Sequence, residues 1–420
     1  MHLQSAVRMP LPARAGVHRV TAKPRNGVIF ITMAVLLVFN IALAKAGFTA
    51  GGTPVTFGYI LLGAVAPFAL IGLVRRSVLS PSAFVHLLIG YLPIGLLALY
   101  KIQTYTASPV ALLVMGTVFL LLPAIILGIL SPYLEELTEA QILSVLKWCV
   151  RFAVAWGLLN FTLYFLTKQF IAIPYLTMNA ADAAEVFSKN NRRGPLMKLV
   201  STYNNGNIFG VCMIMLGPIY IHAENKKSWV AAFIVAVMLT LSRSAWAGLL
   251  LMGAMMVVVG QLKINRGPLW IAILVVAALL MTIMPLLGWT SDNLFDANLG
   301  GRLHQISDLQ WTWWGAQRIQ ISEILYAGLL QSFGVAGGLL ALLALGMGAL
   351  YGFSNFQRLS MLRKAALAGL LCYLGIAASD AAFIFPPTMA TFLFLNAMVY
   401  RRGYRGAIPG RPNPATAARG

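Results

Sequence analysis

Apolar runs about as long as a bilayer is thick follow one another along almost the whole chain. A hydrocarbon core of about 30 Å needs about 20 residues of helix to cross it. Backbone inside lipid must also satisfy its own hydrogen bonds. A chain written this way is therefore confined to bundled helices. The runs read as about twelve candidate spans: Val28–Ala46, Pro54–Val74, Ala83–Tyr100, Pro109–Leu130, Trp148–Leu166, Asn205–Ala223, Ser228–Leu241, Ala245–Leu262, Pro268–Trp289, Glu323–Phe353, Ala365–Phe383 and Pro386–Tyr400. The seventh and twelfth are short, and the tenth is long enough to tilt or to begin outside the hydrocarbon. The expected fold is all-α and polytopic, with one transmembrane domain over residues 28–400 between basic tails at 1–27 and 401–420.

Composition agrees with this reading. The chain is 59% hydrophobic and 10% charged, with a mean hydropathy of +0.80, which excludes an ordinary soluble domain. The formal charge of +20 resides mostly in short loops and tails beside apolar runs, where anionic lipid headgroups attract it. No nucleic-acid-binding motif accompanies it, so membrane lipids and not nucleic acid are the expected partners. Cys149, Cys212 and Cys372 all stand in apolar surroundings and read as small buried residues, with no disulfide or metal framework. The first apolar run is too long for a cleaved signal segment and is taken as the first span.

Lys and Arg are normally retained on the cytoplasmic side. The N-terminal tail carries Arg8, Arg14, Arg19, Lys23 and Arg25, which places it inside. Alternation then puts Arg75/Arg76, Lys147/Arg151, Lys226/Lys227, Lys263/Arg266, Arg358/Arg363/Lys364 and the C-terminal tail inside as well. Both termini are thus expected in the cytoplasm. Tyr133–Lys147 reads as an amphipathic helix lying along that interface. Among the basic residues left outside, Lys45, Lys101 and Lys168 fall at span ends, where snorkelling accounts for them. Lys189, Arg192, Arg193, Lys198, Arg243, Arg302 and Arg318 do not, and they break the orientation rule in three places: the loop 167–204, the hairpin Ser242–Ser244 and the loop 290–322. Such a cluster implies something anionic bound on that side.

The first loop reads KNNRRGPLMKLVSTYNNGNIFG. A guanidinium matches phosphate oxygens with two parallel hydrogen bonds, and one of Arg192 and Arg193 need face a site. Tyr203, Asn204, Asn205 and Asn207 follow at a span entrance, where amides are costly in hydrocarbon and belong in a cavity or the bundle interior. The bland alternative is a solvated basic loop and a helix cap. In LTLSRSAWAG, Arg243 lies so close to two apolar runs that it needs a partner, a cleft or a ligand. The third segment, SDNLFDANLGGRLHQISDLQWTWWGAQRIQISEILYAGLLQSFGVAGG, holds Arg302, His304, Asp308, Arg318 and Glu323. Its Trp311, Trp313 and Trp314 read first as an interfacial belt and second as a stacking surface for sugars. Glu323 either suits the start of a helix or does chemistry. Asp380 is expected to pair with an arginine or to cap the break before Pro386. Walker A, H-E-x-x-H, EF-hand and D-x-D patterns are absent, so no metal-held diphosphate and no cofactor are expected.

The ordered segments STYNNGNIFG, LTLSRSAWAG, GGRLHQISDLQW and SEILYAGLLQSFGVAGG, followed by a Pro-containing last span, resemble the O-antigen ligase and polymerase superfamily. They cover about half the chain. The resemblance implies an integral-membrane, GT-C-like glycosyltransferase of the bacterial inner membrane. Such an enzyme moves undecaprenyl-diphosphate-linked glycan to an acceptor hydroxyl on the periplasmic face without metal. Arg243 and Arg302 match the family arginines, and Arg192 or Arg193 matches a third less securely. Arg318 joins them as a diphosphate candidate. Tyr203, Asn204, Asn205, Asn207 and Tyr326 are the candidate substrate contacts. Ligases of this family carry histidine where Glu323 stands, whereas exopolysaccharide polymerases more often carry an acid, which favours a Wzy-type polymerase. Glu323 is the first candidate proton acceptor, followed by Asp308 and His304. A flippase or a chain-length regulator is the kind of protein partner implied. The alternatives are a ligase adding glycan to lipid A-core, and a lipid-linked sugar flippase or polysaccharide exporter; transporters usually carry internal repeats, and none is visible here.

Overall fold

Apolar chain satisfies its backbone most directly by coiling on itself, and the computed structural model of the protein is mostly helical. It describes residues 27–50, 53–76, 80–104, 114–179, 186, 191–193, 196–262, 303–316, 323–380, 382–383 and 386–402. In chain order these hold α1 (Gly27–Ala42), a hairpin of β1 (Gly47–Ala50) and β2 (Thr53–Thr56), α2 (Phe57–Arg76), α3 (Pro81–Lys101), α4 (Val114–Glu136) and α5 (Glu139–Thr167). There follow a small hairpin of β3 (Arg192–Arg193) and β4 (Leu196–Met197), then α6 (Gly206–Ala223), α7 (Lys227–Met238), α8 (Arg243–Val258) and the short α9 (Leu303–Ser307). The chain ends in α10 (Leu325–Ser354), α11 (Met361–Ile376) and α12 (Pro386–Tyr400). Among the described residues, α2, α3, α4, α5, α6 and α10 are long and apolar enough to cross a membrane; α1, α7, α8 and α12 are shorter apolar helices. The ninth expected span, Pro268–Trp289, lies outside the described residues.

The fold is mostly helical, as expected of an all-α membrane protein, with two small antiparallel hairpins between helices. Two expectations need correction. The segment Tyr133–Lys147 is not a separate interfacial helix. The chain is extended at Leu137, and α5 begins immediately after Thr138 and continues through the expected fifth span. Thr138 closes a reciprocal cap: its hydroxyl accepts from Gln141 N at 3.2 Å, and its own N–H donates to Gln141 Oε1 at 2.9 Å. The eleventh span ends at Ile376, seven residues before its expected boundary at Phe383, and a turn follows.

A helix apolar on every side belongs inside a bundle, and α6 is buried along nearly its whole length. It packs on α5, α8, α11 and α12. Gly369 of α11 meets the backbone of Met215, leaving no room for a side chain there. The outer surface carries Val28, Phe68, Ile71, Val74, Leu96, Leu250, Leu339 and Leu350, all exposed. Large exposed aliphatics in this number, around most of the bundle, are what a lipid-facing surface looks like.

The ends of these helices define two poles. At one, Arg401 donates to the carbonyls of Leu134 and Leu137 and lies 3.5 Å from Glu139, while Arg363 donates to Val399 O. The pair Arg151–Glu224 is at the same pole. The other pole carries the starts of α6, α8 and α10 and the end of α11.

Candidate functional site

The pole around Arg243 is assembled from four separate stretches of sequence. Asn205 caps α6, its Oδ1 accepting from the amides of Asn207 (2.8 Å) and Ile208 (3.3 Å). Just before it, Asn204 turns the chain with a positive φ of 55° and donates to Asn179 Oδ1 at 2.9 Å. Asn207 points its Oδ1 at Lys198 Nζ, 3.1 Å away. Tyr203 is fully buried and its hydroxyl donates to Ile41 O at 2.9 Å, so the ring fixes the turn from beneath. Thr202 does the same through Ala42 O at 2.7 Å.

Leu199 N donates to Leu239 O at 2.9 Å, which holds this turn against the hairpin between α7 and α8. Leu241 has a φ of 51°, and Arg243 emerges half-buried as the first residue of α8. On either side of it, Ser242 Oγ and Ser244 Oγ are 2.8 Å apart, and Ser244 donates to Asp380 Oδ2 at 3.4 Å. Asp380 is buried just beyond α11. The end of α11 is in turn bonded to the start of α10: Leu325 N donates to Ala377 O at 3.0 Å, and Tyr326 OH donates to Leu374 O. Glu323 stands exposed at that start. Gln305 of α9 accepts from Ile324 N at 3.4 Å, which brings the segment bearing Asp308 beside Glu323. Asp308 is exposed and accepts from Ser307 Oγ at 3.0 Å.

The fold therefore gathers Asn204, Asn205, Asn207, Arg243, Asp308, Glu323 and Tyr326 at one pole. Arg192 is exposed on β3, in the loop that leads into the same turn. Arg302 and Arg318 lie outside the described residues, as do the side chains of Arg193 and His304. Among the described residues no group of His, Cys, Asp and Glu is clustered as metal ligands would be.

Residues not singled out from sequence also build this pole. Asn191 is buried; its amide nitrogen donates to Val186 O (2.7 Å) and Asn204 O (2.8 Å), and its Oδ1 accepts from Gly206 N (3.3 Å). It is the hub that ties the loop to the start of α6. Lys198, counted among the misplaced basic residues, is buried beside that start, where the helix dipole adds positive potential. Lys45 does not snorkel: it is only 5% exposed and stands inside the bundle. Lys101 is equally buried, whereas Lys168 stays at the surface over the rings of Tyr164 and Phe165.

No protein-family model matches the chain, and no curated protein matches it.

Proposed function

We propose that the protein is an integral-membrane glycosyltransferase that polymerises undecaprenyl-diphosphate-linked oligosaccharide repeat units, in exopolysaccharide or O-antigen biosynthesis. The reading includes about twelve spans in the bacterial inner membrane. Both termini are cytoplasmic and the Arg243 pole faces the periplasm. The observation that carries it is convergence. The turn Ser201–Asn207, the Arg243 hairpin, the start of α10 and the end of α11 are remote in sequence and bonded to one another at one pole.

The chemistry follows from the residue types. A lipid diphosphate is an activated leaving group. The acceptor hydroxyl oxygen attacks the anomeric carbon, and the bond from that carbon to the diphosphate oxygen breaks. Its electron pair leaves with the undecaprenyl diphosphate, and the hydroxyl proton passes to the Glu323 carboxylate. A single displacement inverts the anomeric centre. Arg243 and Arg302 stabilise the charge that grows on the departing phosphate. Lys198 and the start of α6 add positive potential on the same side.

Purified protein supplied with lipid-linked repeat units tests this directly. Longer lipid-linked chains are the expected product. Movement of the substrate across the bilayer without a new bond identifies a flippase or exporter instead, and transfer to lipid A-core a ligase. Arg243→Lys keeps the charge but loses two-pronged contact, and most activity should go with it. Glu323→Gln should still bind substrate while turnover falls by roughly 100-fold, the scale of a lost general base. Wild-type turnover in both variants overturns the assignment.

A further inference from the structure

Helix α10 is broken within its length. Gly334 has φ 68° and ψ −170°, and the groups freed there are taken up by the segment Thr312–Ala316. Val335 N donates to Thr312 O at 2.9 Å, Ala336 N to Trp313 O at 3.3 Å, and Ala316 N to Gln331 O at 2.7 Å. Gly315, with φ 76°, lies back to back with Gly334, and a side chain on either would run into the other's backbone. Lys101, at the end of α3, closes the arrangement. Its ammonium donates to Ser332 O (2.7 Å), Ala316 O (3.2 Å) and the carbonyl of Trp314. Irregular backbone beside a membrane helix is tolerated where protein covers it, and this strap is that cover.

The strap is firmly seated, yet its aromatic side chains are not. Trp311, Trp313 and Trp314 are 73%, 71% and 68% exposed. Two independent rulers give their level. From Ser354, the last residue of α10, about 20 residues of helix span the ~30 Å hydrocarbon, which reaches back to Gly334. Helix α3 is itself one span, Pro81–Lys101, and Lys101 is the residue bonded to the strap. Below the break, α10 shows Leu339, Leu342, Leu343 and Leu350 outward, and on α3 Tyr100 and Leu96 are exposed next to Lys101. The exposed tryptophans thus stand above the exposed leucines of α10 and α3.

We propose that Trp311–Ala316 is a membrane-interface anchor whose three tryptophans seat in the headgroup region of the leaflet at the Arg243 pole. An indole has an apolar body and one N–H donor, which suits that zone better than either water or hydrocarbon. Lys101 and the paired glycines fix the blade to α3 and α10, so the depth of the bundle in the bilayer is set beside the site. The anchor depends on the helices crossing a bilayer and on no reaction at that pole.

The test is tryptophan fluorescence of the full chain in phosphatidylethanolamine/phosphatidylglycerol vesicles. Some of the lipids carry bromine near the headgroup or near the chain end. The emission lost on W311F/W313F/W314F isolates the three rings, and W313F alone serves if the triple variant inserts poorly. Shallow bromines should quench that difference emission about twofold or more over deep ones, as rings held at the hydrocarbon edge require, and aqueous iodide should quench it weakly. Difference emission that ignores bromine and yields to iodide places the rings in water, free for a glycan, and overturns the anchor. Emission insensitive to both places them against protein and overturns it equally. Either failure leaves the polymerisation assay unaffected.

Discussion

The ion pair at the Arg401 pole offers the most quantitative check on the fold. Arg151 Nε and Nη2 each donate to one carboxylate oxygen of Glu224 at 2.7 Å, the two-pronged geometry. Lys226 N and Tyr220 OH complete the carboxylate at 2.9 and 3.3 Å, and the guanidinium lies between the rings of Trp148 (5.2 Å) and Trp229 (5.1 Å). The Arg151 hydrogen bonds hold the Glu224 carboxyl down to about 2, against 4.5 for an ordinary glutamate. A displacement of that size corresponds to about 3 kcal/mol favouring the charged form. Water at the edge of the bundle screens part of it, so about 1–2 kcal/mol of coupling is expected. The perturbations are Glu224→Gln, Arg151→Gln and the two together, and the assay is detergent-induced unfolding of these three variants and the wild type, followed by tryptophan emission. Because the folded carboxyl ionises at lower pH than the unfolded one, its contribution is complete above about pH 4.5. It is lost as pH falls towards 2. The coupling should therefore be full at pH 7 and shrink below pH 4.5. A cycle that closes to within experimental error at pH 7 would refute the reasoning, since it would leave a well-formed, two-pronged pair with no energetic consequence.

Three further outcomes follow from particular residues. Gly334→Ala forces a side chain into the Trp313 carbonyl and the Gly315 amide at a positive φ, so it should destabilise by a few kcal/mol and raise protease cleavage near Ala316. Lys45→Met replaces a buried ammonium with an apolar chain of similar length, so thermal unfolding should shift upward; a large downward shift would show that the ammonium holds a needed contact. A topology reporter inserted at Asn190 should read periplasmic and one after Arg405 cytoplasmic; the opposite signal at either would overturn the proposed orientation.

How much of this was legible in the sequence depends on the kind of information each feature uses. Helix placement rests on local apolar length, which one chain displays, and α12 has the bounds read from the pattern. The motifs around Asn205, Arg243 and Glu323 were legible as polar groups beside apolar runs; Asn205 proves to cap its helix, and Glu323 stands exposed at the start of α10. The continuity of α5 had a sequence signal that was outweighed. Thr138-Glu-Ala-Gln141 is a capping box, but the glutamates and leucines around it also make an amphipathic stripe, which masks the helix start. Lys45 and Lys101 were misread because snorkelling assumes an open path to water. Whether the chain beyond a span folds back over the lysine is decided by remote residues, here Thr202 and Trp314–Ala316.

The same argument explains why the break at Gly334 escapes a reading of periods. The run Leu325–Ser354 is apolar throughout, and Gly334, Gly337 and Gly338 look alike within it. Only Gly334 faces a segment that supplies carbonyls for the amides of Val335 and Ala336, and that segment lies before the helix in the chain. A helix break is favourable only when its partner is in place, so its position is a property of the pair. The strap that satisfies the break also joins, through α9 and Gln305, the loop carrying Asp308 to the residue that follows Glu323. The irregular backbone and the candidate chemistry therefore belong to one connected unit. Moving the break by even one turn would move Glu323 and Asp308 with respect to Arg243, which gives this glycine a direct bearing on the geometry of the candidate site.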